Sequence, residues 1–320
     1  MKKIILGLSL VIFGAVSFAQ TTEAEGDLKK QNTDTINGWK KGGTFGLTLS
    51  QVSLTNWAAG GVNSISVNGM TNLFANYKKD KLSWDNSLDM GYGVIRQGDA
   101  NAIWVKSDDK LDFASKFGYQ VKNDLYFAGL YNFRTQFAPG YDAPGSTNII
   151  SNLLAPAYSL LAVGVDYKKS AAFSAFLAPV TLKTTIVGDQ NLADAGSFGV
   201  EGAIYDDLGQ LLEAGKNIRN EFGGYLKLQY RKEILKNVGL DTKIDLFSNY
   251  LNNPQNIDVN WETVITLKVN KYLSANLTTH LIYDDDIHVA VDNDNDGVAD
   301  ATGPRVQFKE VFGAGLSVKF

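Results

Sequence analysis

Val306-Gln307-Phe308-Lys309-Glu310-Val311-Phe312-Gly313-Ala314-Gly315-Leu316-Ser317-Val318-Lys319-Phe320 is the stretch from which the rest of the chain can be read. Val306, Phe308, Phe312, Ala314, Leu316, Val318 and Phe320 share one parity, while Gln307, Lys309, Gly313, Gly315, Ser317 and Lys319 share the other. Successive side chains of a strand point to opposite faces, so this alternation gives one greasy face and one wet face.

The same period recurs upstream. Leu82, Trp84, Leu88, Met90, Tyr92 and Val94 oppose Ser83, Asp85, Ser87, Asp89 and Gly91, and Leu125, Phe127, Tyr131, Phe133 and Phe137 oppose Asn132, Arg134 and Gln136. Ile257, Val259, Trp261, Ile265, Leu267 and Val269 oppose Asp258, Asn260, Glu262, Lys268 and Asn270. The pattern predicts strands near 43–52, 63–77, 81–95, 104–121, 124–137, 155–167, 172–188, 218–233, 238–250, 256–270, 273–285 and 305–320.

A soluble β-sandwich also has one apolar and one polar face, so connection lengths decide between the two. Every second connection is short and basic: Lys78-Lys79-Asp80-Lys81, Lys122-Asn123, Lys168-Lys169-Ser170, Leu235-Lys236-Asn237 and Asn270-Lys271. The intervening ones, around 53–62, 96–103, 138–154, 189–217, 251–255 and 286–304, are mostly longer and rich in Gly, Asn and Asp. Tight turns at one end and long loops at the other are the signature of a bacterial outer-membrane barrel, whose turns lie in the periplasm. Tyr77, Trp84, Tyr119, Phe127, Tyr230 and Phe320 lie near the short turns on the apolar parity, where they form an interfacial girdle.

Targeting agrees. Lys2 and Lys3 precede an apolar run from Ile4 to Val16 and the small-residue site Ser17-Phe18-Ala19, which reads as a signal peptide over 1–19 cut before Gln20. Nothing downstream is long and apolar enough for a spanning helix, so insertion must use strands. Residues 20–42 read as a polar, flexible periplasmic leader and 43–320 as the barrel. Without Lys2 and Lys3, the 30 basic and 34 acidic residues become 28 against 34, and this acidic balance excludes nucleic acid as a partner. The chain has no Cys, which excludes disulfides, thiolate catalysis and thiolate metal sites.

The fold class read from the sequence is therefore all-β: an up-and-down antiparallel transmembrane β-barrel of about twelve strands. The expected partners are the lipid bilayer of a Gram-negative outer membrane and the barrel-assembly machinery, with both termini periplasmic and the oligomeric state open. Several segments carry a resemblance as well: Trp39-Lys40-Lys41-Gly42-Gly43, Asn56-Trp57-Ala58-Ala59-Gly60-Gly61, Trp84-Asp85-Asn86-Ser87-Leu88 and Lys106-Ser107-Asp108-Asp109-Lys110. With Thr135-Gln136-Phe137, Gly140-Tyr141 and two Leu-Ala-Pro triplets, the chain resembles an uncharacterised family of Bacteroidota outer-membrane barrels, a domain of unknown function. That resemblance implies the barrel and no activity.

On the wet parity lie Asp85, Asp89, Lys110, Asp112, Lys116, Arg134, Glu221, Lys227, Arg231, Asp241, Lys243, Asp245, Asp258, Glu262, Lys268 and Lys309, a lumen of mixed sign. Such a lumen holds water and polar solutes, or its opposite charges pair across a narrow interior and close it. Pro156 and Pro179 cannot donate to a ladder, so they mark either a lateral break in the wall or a bulge that adjusts curvature. Asp292-Asn293-Asp294-Asn295-Asp296-Gly297-Val298-Ala299-Asp300 offers oxygen ligands from Asp292, Asp294, Asp296 and Asp300 in a Ca²⁺-loop spacing, although Gly303 replaces the usual bidentate Glu. A weak Ca²⁺ site and a solvated acidic loop both account for it.

Asp206 is expected to cap a short helix carrying Leu208, Leu211 and Leu212. His280, on the wet parity, and His288, in an acidic loop, offer no lipid-facing Ser-His pair, and no phosphate cradle or His-Glu-x-x-His motif is present. The chain is therefore read as a non-enzymatic passive pore for a small solute. The alternatives are a structural or surface-interaction barrel with an occluded lumen and, third, an outer-membrane hydrolase.

Overall fold

The computed structural model describes residues 37–54, 62–98, 101–170, 172–269, 273–291, 301–316 and 318–319. The signal-peptide segment 1–19 and most of the leader lie outside these residues, as do Asp292, Asp294, Asp296 and Asp300.

The long strands are β1 (Gly38–Val52), β2 (Ser64–Lys79), β3 (Leu82–Gln97), β4 (Val105–Lys122) and β5 (Leu125–Thr135). The short β6 (Gly140–Tyr141) and β7 (Ile149–Ser151) follow, then β8 (Ala157–Ser170) and β9 (Phe173–Ile186). A helix, α1 (Gln190–Asp194), and a hairpin of β10 (Ile204–Tyr205) and β11 (Leu211–Glu213) precede β12 (Ile218–Leu235), β13 (Val238–Asn249), β14 (Ile257–Lys268) and β15 (Leu273–Tyr283). A last hairpin, β16 (His288–Val291) and β17 (Ala301–Pro304), leads to β18 (Gln307–Leu316) and β19 (Val318–Lys319).

Each long strand pairs antiparallel with the next long strand in the chain, in the order β18-β15-β14-β13-β12-β9-β8-β5-β4-β3-β2-β1-β19. With β18 and β19 as parts of one C-terminal stave, this is an up-and-down meander of twelve staves among the described residues. At one edge of the sheet β18 pairs with β15, and at the other β19 pairs with β1, Thr44 facing Lys319 and Phe45 facing Val318. The first stave starts at Gly38, earlier than the leader boundary at 42 read from the sequence, because Trp39 and Lys41 already pair with Tyr77 and Ala75.

Burial is inverted relative to a soluble protein. Leu161, Val163, Leu177, Val180 and Leu182 stand on the outer surface, with Val163 and Leu177 each 57% exposed, while Asp166 and Glu221 are 1% and 2% exposed. A dry core does not bury carboxylates and leave aliphatic staves bare, whereas a barrel in lipid does both. Trp84, Tyr119, Phe127 and Tyr230 are exposed near the short turns as the girdle reading requires. Trp39, which sequence reading assigned to the leader, joins them, its ring 5.2 Å from Tyr77 and 5.7 Å from Trp84. The outward indoles still satisfy their N–H groups on the wall: Trp84 Nε1 donates to Ser115 Oγ at 2.9 Å and Trp261 Nε1 to Thr242 Oγ1 at 2.8 Å.

Three short turns carry Asp80, Asn123 and Asn237 at φ of +50°, +44° and +65°, left-handed positions that Asn and Asp tolerate better than other side chains. At Pro179 the register slips on both sides of β9: Val163 pairs with Val180 but Val165 with Leu177, and Gly223 pairs with Thr181 but Tyr225 with Ala178. The structure thus puts Pro179 in a bulge, with ladders resuming on either side. Pro156 directly precedes β8. The bulge drives β9 toward its neighbour, so that a Cβ at Gly164 would overlap the Leu177 carbonyl oxygen and the Ala178 Cα. Gly164→Ala is expected to cost about 3 kcal/mol, the upper range for overpacking, because the clashing atoms are backbone and cannot rotate away. Loss of the heat-modifiable band of the folded barrel on unboiled gels, at a urea concentration the unaltered protein withstands, would register it.

Candidate functional site: a charge-bridged lumen under a folded loop

Register sets the wet-parity charges named above side by side on one face of the sheet, the side chain of Lys309 lying outside the described residues. Asp85 pairs with Lys116, Asp89 with Asp112, Asp112 with Arg134, Glu221 with Lys183, Lys227 with Asp245, Arg231 with Asp241, Lys243 with Glu262, Phe247 with Asp258 and His280 with Lys309. Lys110 lies opposite Gly91 and Lys268 opposite Ser274. The side chains then meet in three tiers.

Nearest the short turns, Lys168 Nζ lies 3.1 Å from Asp85 and 3.7 Å from Asp166, and Lys116 Nζ lies 2.7 Å from Asp166. The Lys168 ammonium also sits over the Tyr126 ring at 5.1 Å. In the middle tier Arg134 Nε is 3.2 Å from Asp112 and its Nη2 is 3.6 Å from Asp245. Tyr225 donates to Asp245 at 2.8 Å, Lys227 lies 3.5 Å away from the same carboxylate, and Asn132 donates to Asp112 at 2.6 Å. Beside them Lys243 pairs with Glu262 at 3.0 Å, and the His280 ring meets Asn260 Oδ1 at 2.7 Å. At the long-loop end Lys183 gathers Asp258 at 2.6 Å, Asp284 at 3.1 Å and Glu221 at 3.4 Å, while Arg219 joins Glu221 at 3.0 Å to Asp286 at 2.8 Å. Arg231 and Asp241 form a separate pair between neighbouring strands.

Topology decides what these contacts mean. Arg134 is on β5 and Asp245 on β13, four staves apart, and neighbouring staves are ~4.8 Å apart, so the route along the wall is about 19 Å. A 3.6 Å contact between them is made only across the interior. Lys168 to Asp85 and Lys183 to Asp258 each cross three staves in the same way. The space between these tiers on the β5–β13 side is filled by Phe176, Tyr225, Phe247, Leu130 and three alanines, the Phe176 and Tyr225 rings meeting edge-on at 6.2 Å.

The mouth is covered by residues 187–217. Asp189 caps α1 by accepting from the Asn191 amide, and Val187, Leu192, Ala193 and Val200 bury themselves with Ala155 against Ile149 and Phe198. The turn at Ser197–Gly199 lies against Arg219 on β12 and against the Asp286 carbonyl in the connection just beyond β15, three staves along the sheet, so the loop reaches from one to the other. Asp194 Oδ1 fastens the loop by accepting from the Gly215 amide at 2.8 Å and the Gln190 side chain at 2.7 Å. Removing this acceptor with Asp194→Ala leaves the Gly215 N–H unpaired and is expected to cost about 1–2 kcal/mol locally. Limited proteolysis should then cut within 187–217 several-fold faster, with the barrel band unchanged.

The helix expected after Asp206 is not formed. Asp206 Oδ1 instead accepts from Leu208 N at 2.9 Å and Gln210 N at 2.7 Å, and Gly209 at φ +76° completes the β10–β11 turn. A short acidic side chain with a Gly three residues on can close a turn as readily as it caps a helix, and the β10–β11 pairing settles the choice. Leu208, Leu211 and Leu212 are exposed on this hairpin. Two groups outside the wall have shifted ionisation: Ser146 and Asn148 hydrogen bonds hold the Asp142 carboxyl below its ordinary value, and the Glu201 carboxylate raises the Lys216 ammonium. The Ca²⁺-spaced carboxylates at 292–300 fall between β16 and β17, outside the described residues.

Sequence reading missed Lys183, Asp166, Lys168, Tyr225 and Phe176. Lys168 looked like part of a basic turn, and Phe176 lies beyond the bulge from the rest of its strand, where the parity count shifts by one.

The profile of a family described as a protein of unknown function (DUF3078) matches residues 49–141, which include the Asn56–Gly61, Trp84–Leu88 and Lys106–Lys110 segments. No curated protein matches the chain. Among solved structures, the NanC porin aligns at 8% identity and a TM-score of 0.35, covering 88% of this chain and 100% of that one. An outer membrane channel from Pseudomonas putida F1 aligns at 10% identity and 0.38, covering 90% and 97%. The translocator domain of the autotransporter NalP from Neisseria meningitidis aligns at 10% and 0.32, covering 92% of each. What this chain is similar to, then, is an uncharacterised sequence family over part of its length and outer-membrane barrels in its chain path.

Proposed function

We propose that this protein is a non-enzymatic outer-membrane channel for small polar solutes, held in a constricted state by charge bridges across its lumen. In this reading the short turns and both termini face the periplasm and the loop over 187–217 faces outward. The observation that carries it is Arg134, which holds Asp112 on the adjacent stave and Asp245 on the far side of the lumen. A pathway lined by both signs and narrowed by one long cation passes small hydrated solutes slowly, by the same control of diameter and charge that selects solutes in other pores. The second reading, a scaffold with a permanently shut lumen, draws on the loop that spans the mouth.

Planar-bilayer recording of the purified protein separates the readings. The channel reading expects a small unitary current that grows when Arg134 is shortened. A large steady current in the unaltered protein would refute the constriction, and silence in both proteins would leave the scaffold.

A further inference from the structure

Along β2, Asn68, Asn72 and Asn76 recur on the inward parity, with Met70 and Phe74 between them. Asn72 pairs across the ladder with Asp89, which in turn pairs with Asp112. Asn72 is 6% and Asp89 8% exposed. Buried carboxamides are almost always hydrogen-bonded, and others on this wall are: Asn76 accepts from the Asn86 amide and Asn132 donates to Asp112. At Asn72 neither Nδ2 nor Oδ1 has a partner among the described residues, nor has Asn68 Oδ1.

An unpaired buried amide costs the wall stability that Leu or Thr would not, and the polar group of a ligand would satisfy it. The chemistry narrows which one. Asn72 presents a donor and an acceptor side by side, and Asp89 adds a second acceptor. A cation would meet Asn72 Oδ1 and the Asp89 carboxylate but leave Asn72 Nδ2 unpaired, while an anion would face the Asp89–Asp112 pair. A hydroxyl group donates and accepts at once and matches both. Met70, whose chain runs beside Gly91, and Phe74 on the same parity offer apolar surface for the C–H face of a ring.

We propose that Asn72 and Asp89 form a weak binding site for a neutral, hydroxyl-rich solute of the sugar class, with Met70 and Phe74 receiving its apolar face. The site gives the channel reading its substrate class and rests on that reading for its role.

Saturation-transfer NMR of the full chain in detergent micelles, with sucrose as the probe, tests the site without any need for current. The expected result is transfer to sucrose ring protons with millimolar affinity, insensitive to added KCl, and weakened at least tenfold in Asn72→Leu. If Asn72→Leu fails to give the folded band, Asp89→Asn serves in its place with the same expected loss. No transfer, or transfer unchanged in the folded variants, overturns the site. Sucrose binding by a protein silent in bilayers overturns the channel reading alone, and ion current without sucrose binding overturns the sugar site alone.

Discussion

Arginine in place of Leu161 is expected to remove about 2–4 kcal/mol from the barrel, the cost of a cation at the lipid-facing midplane. Leu161 lies within β8, 52% exposed, and pairs with the outward Tyr131 and Leu182. At such an exposed position in a soluble protein the same change would fall within ~0.5 kcal/mol. The two outcomes differ by several-fold, so urea unfolding in lipid vesicles decides whether that face meets acyl chains or water. Leu208→Arg is the internal control: Leu208 is more exposed still, but on a hairpin beyond the staves, and should change stability by less than ~0.5 kcal/mol. Equal effects at 161 and 208 would refute the membrane assignment of the outer face.

Shortening Arg134 to Ala is expected to raise unitary conductance roughly threefold and to shift selectivity toward cations, because a long cation leaves the constriction while Asp112 and Asp245 stay. Both carboxylates keep other partners, Asn132 for Asp112 and Tyr225 with Lys227 for Asp245. The Arg134 side chain is also 30% exposed. The stability loss should therefore be about 1–3 kcal/mol, below the ~3–5 kcal/mol of a fully buried broken pair. Arg134→Lys keeps the charge but replaces a planar fork with a point donor, so it should bridge only one carboxylate and give an intermediate current. Reversal potentials in asymmetric KCl measure both effects. An Arg134→Ala channel with unaltered current and selectivity would remove Arg134 from the pathway.

Much of the wall was legible before any coordinate. Asp85, Asp112, Arg134, Lys227, Asp245 and Glu262 were assigned to one face from parity alone, and pairing sets them as neighbours on a shared face. Where parity failed, a local event reset it. The bulge at Pro179 adds one residue to β9, so that Phe176 and Lys183 both face inward although they are an odd number of positions apart. The loop at 206–212 failed for a different reason, since Asp followed by a Gly satisfies both a cap and a turn, and only the partner segment distinguishes them.

The sequence by itself determined the strands, their alternation, their number and the sign of each face, because a strand's period of two is local and needs no knowledge of its neighbours. Tertiary structure alone decided which charges meet. Lys168 finds Asp85 across 83 residues of chain and Arg134 finds Asp245 across the interior, contacts set by the tilt, stagger and curvature of all the staves together. Nothing in a single segment encodes those collective quantities, so the lumen could be listed by residue from the sequence but its bridges could not.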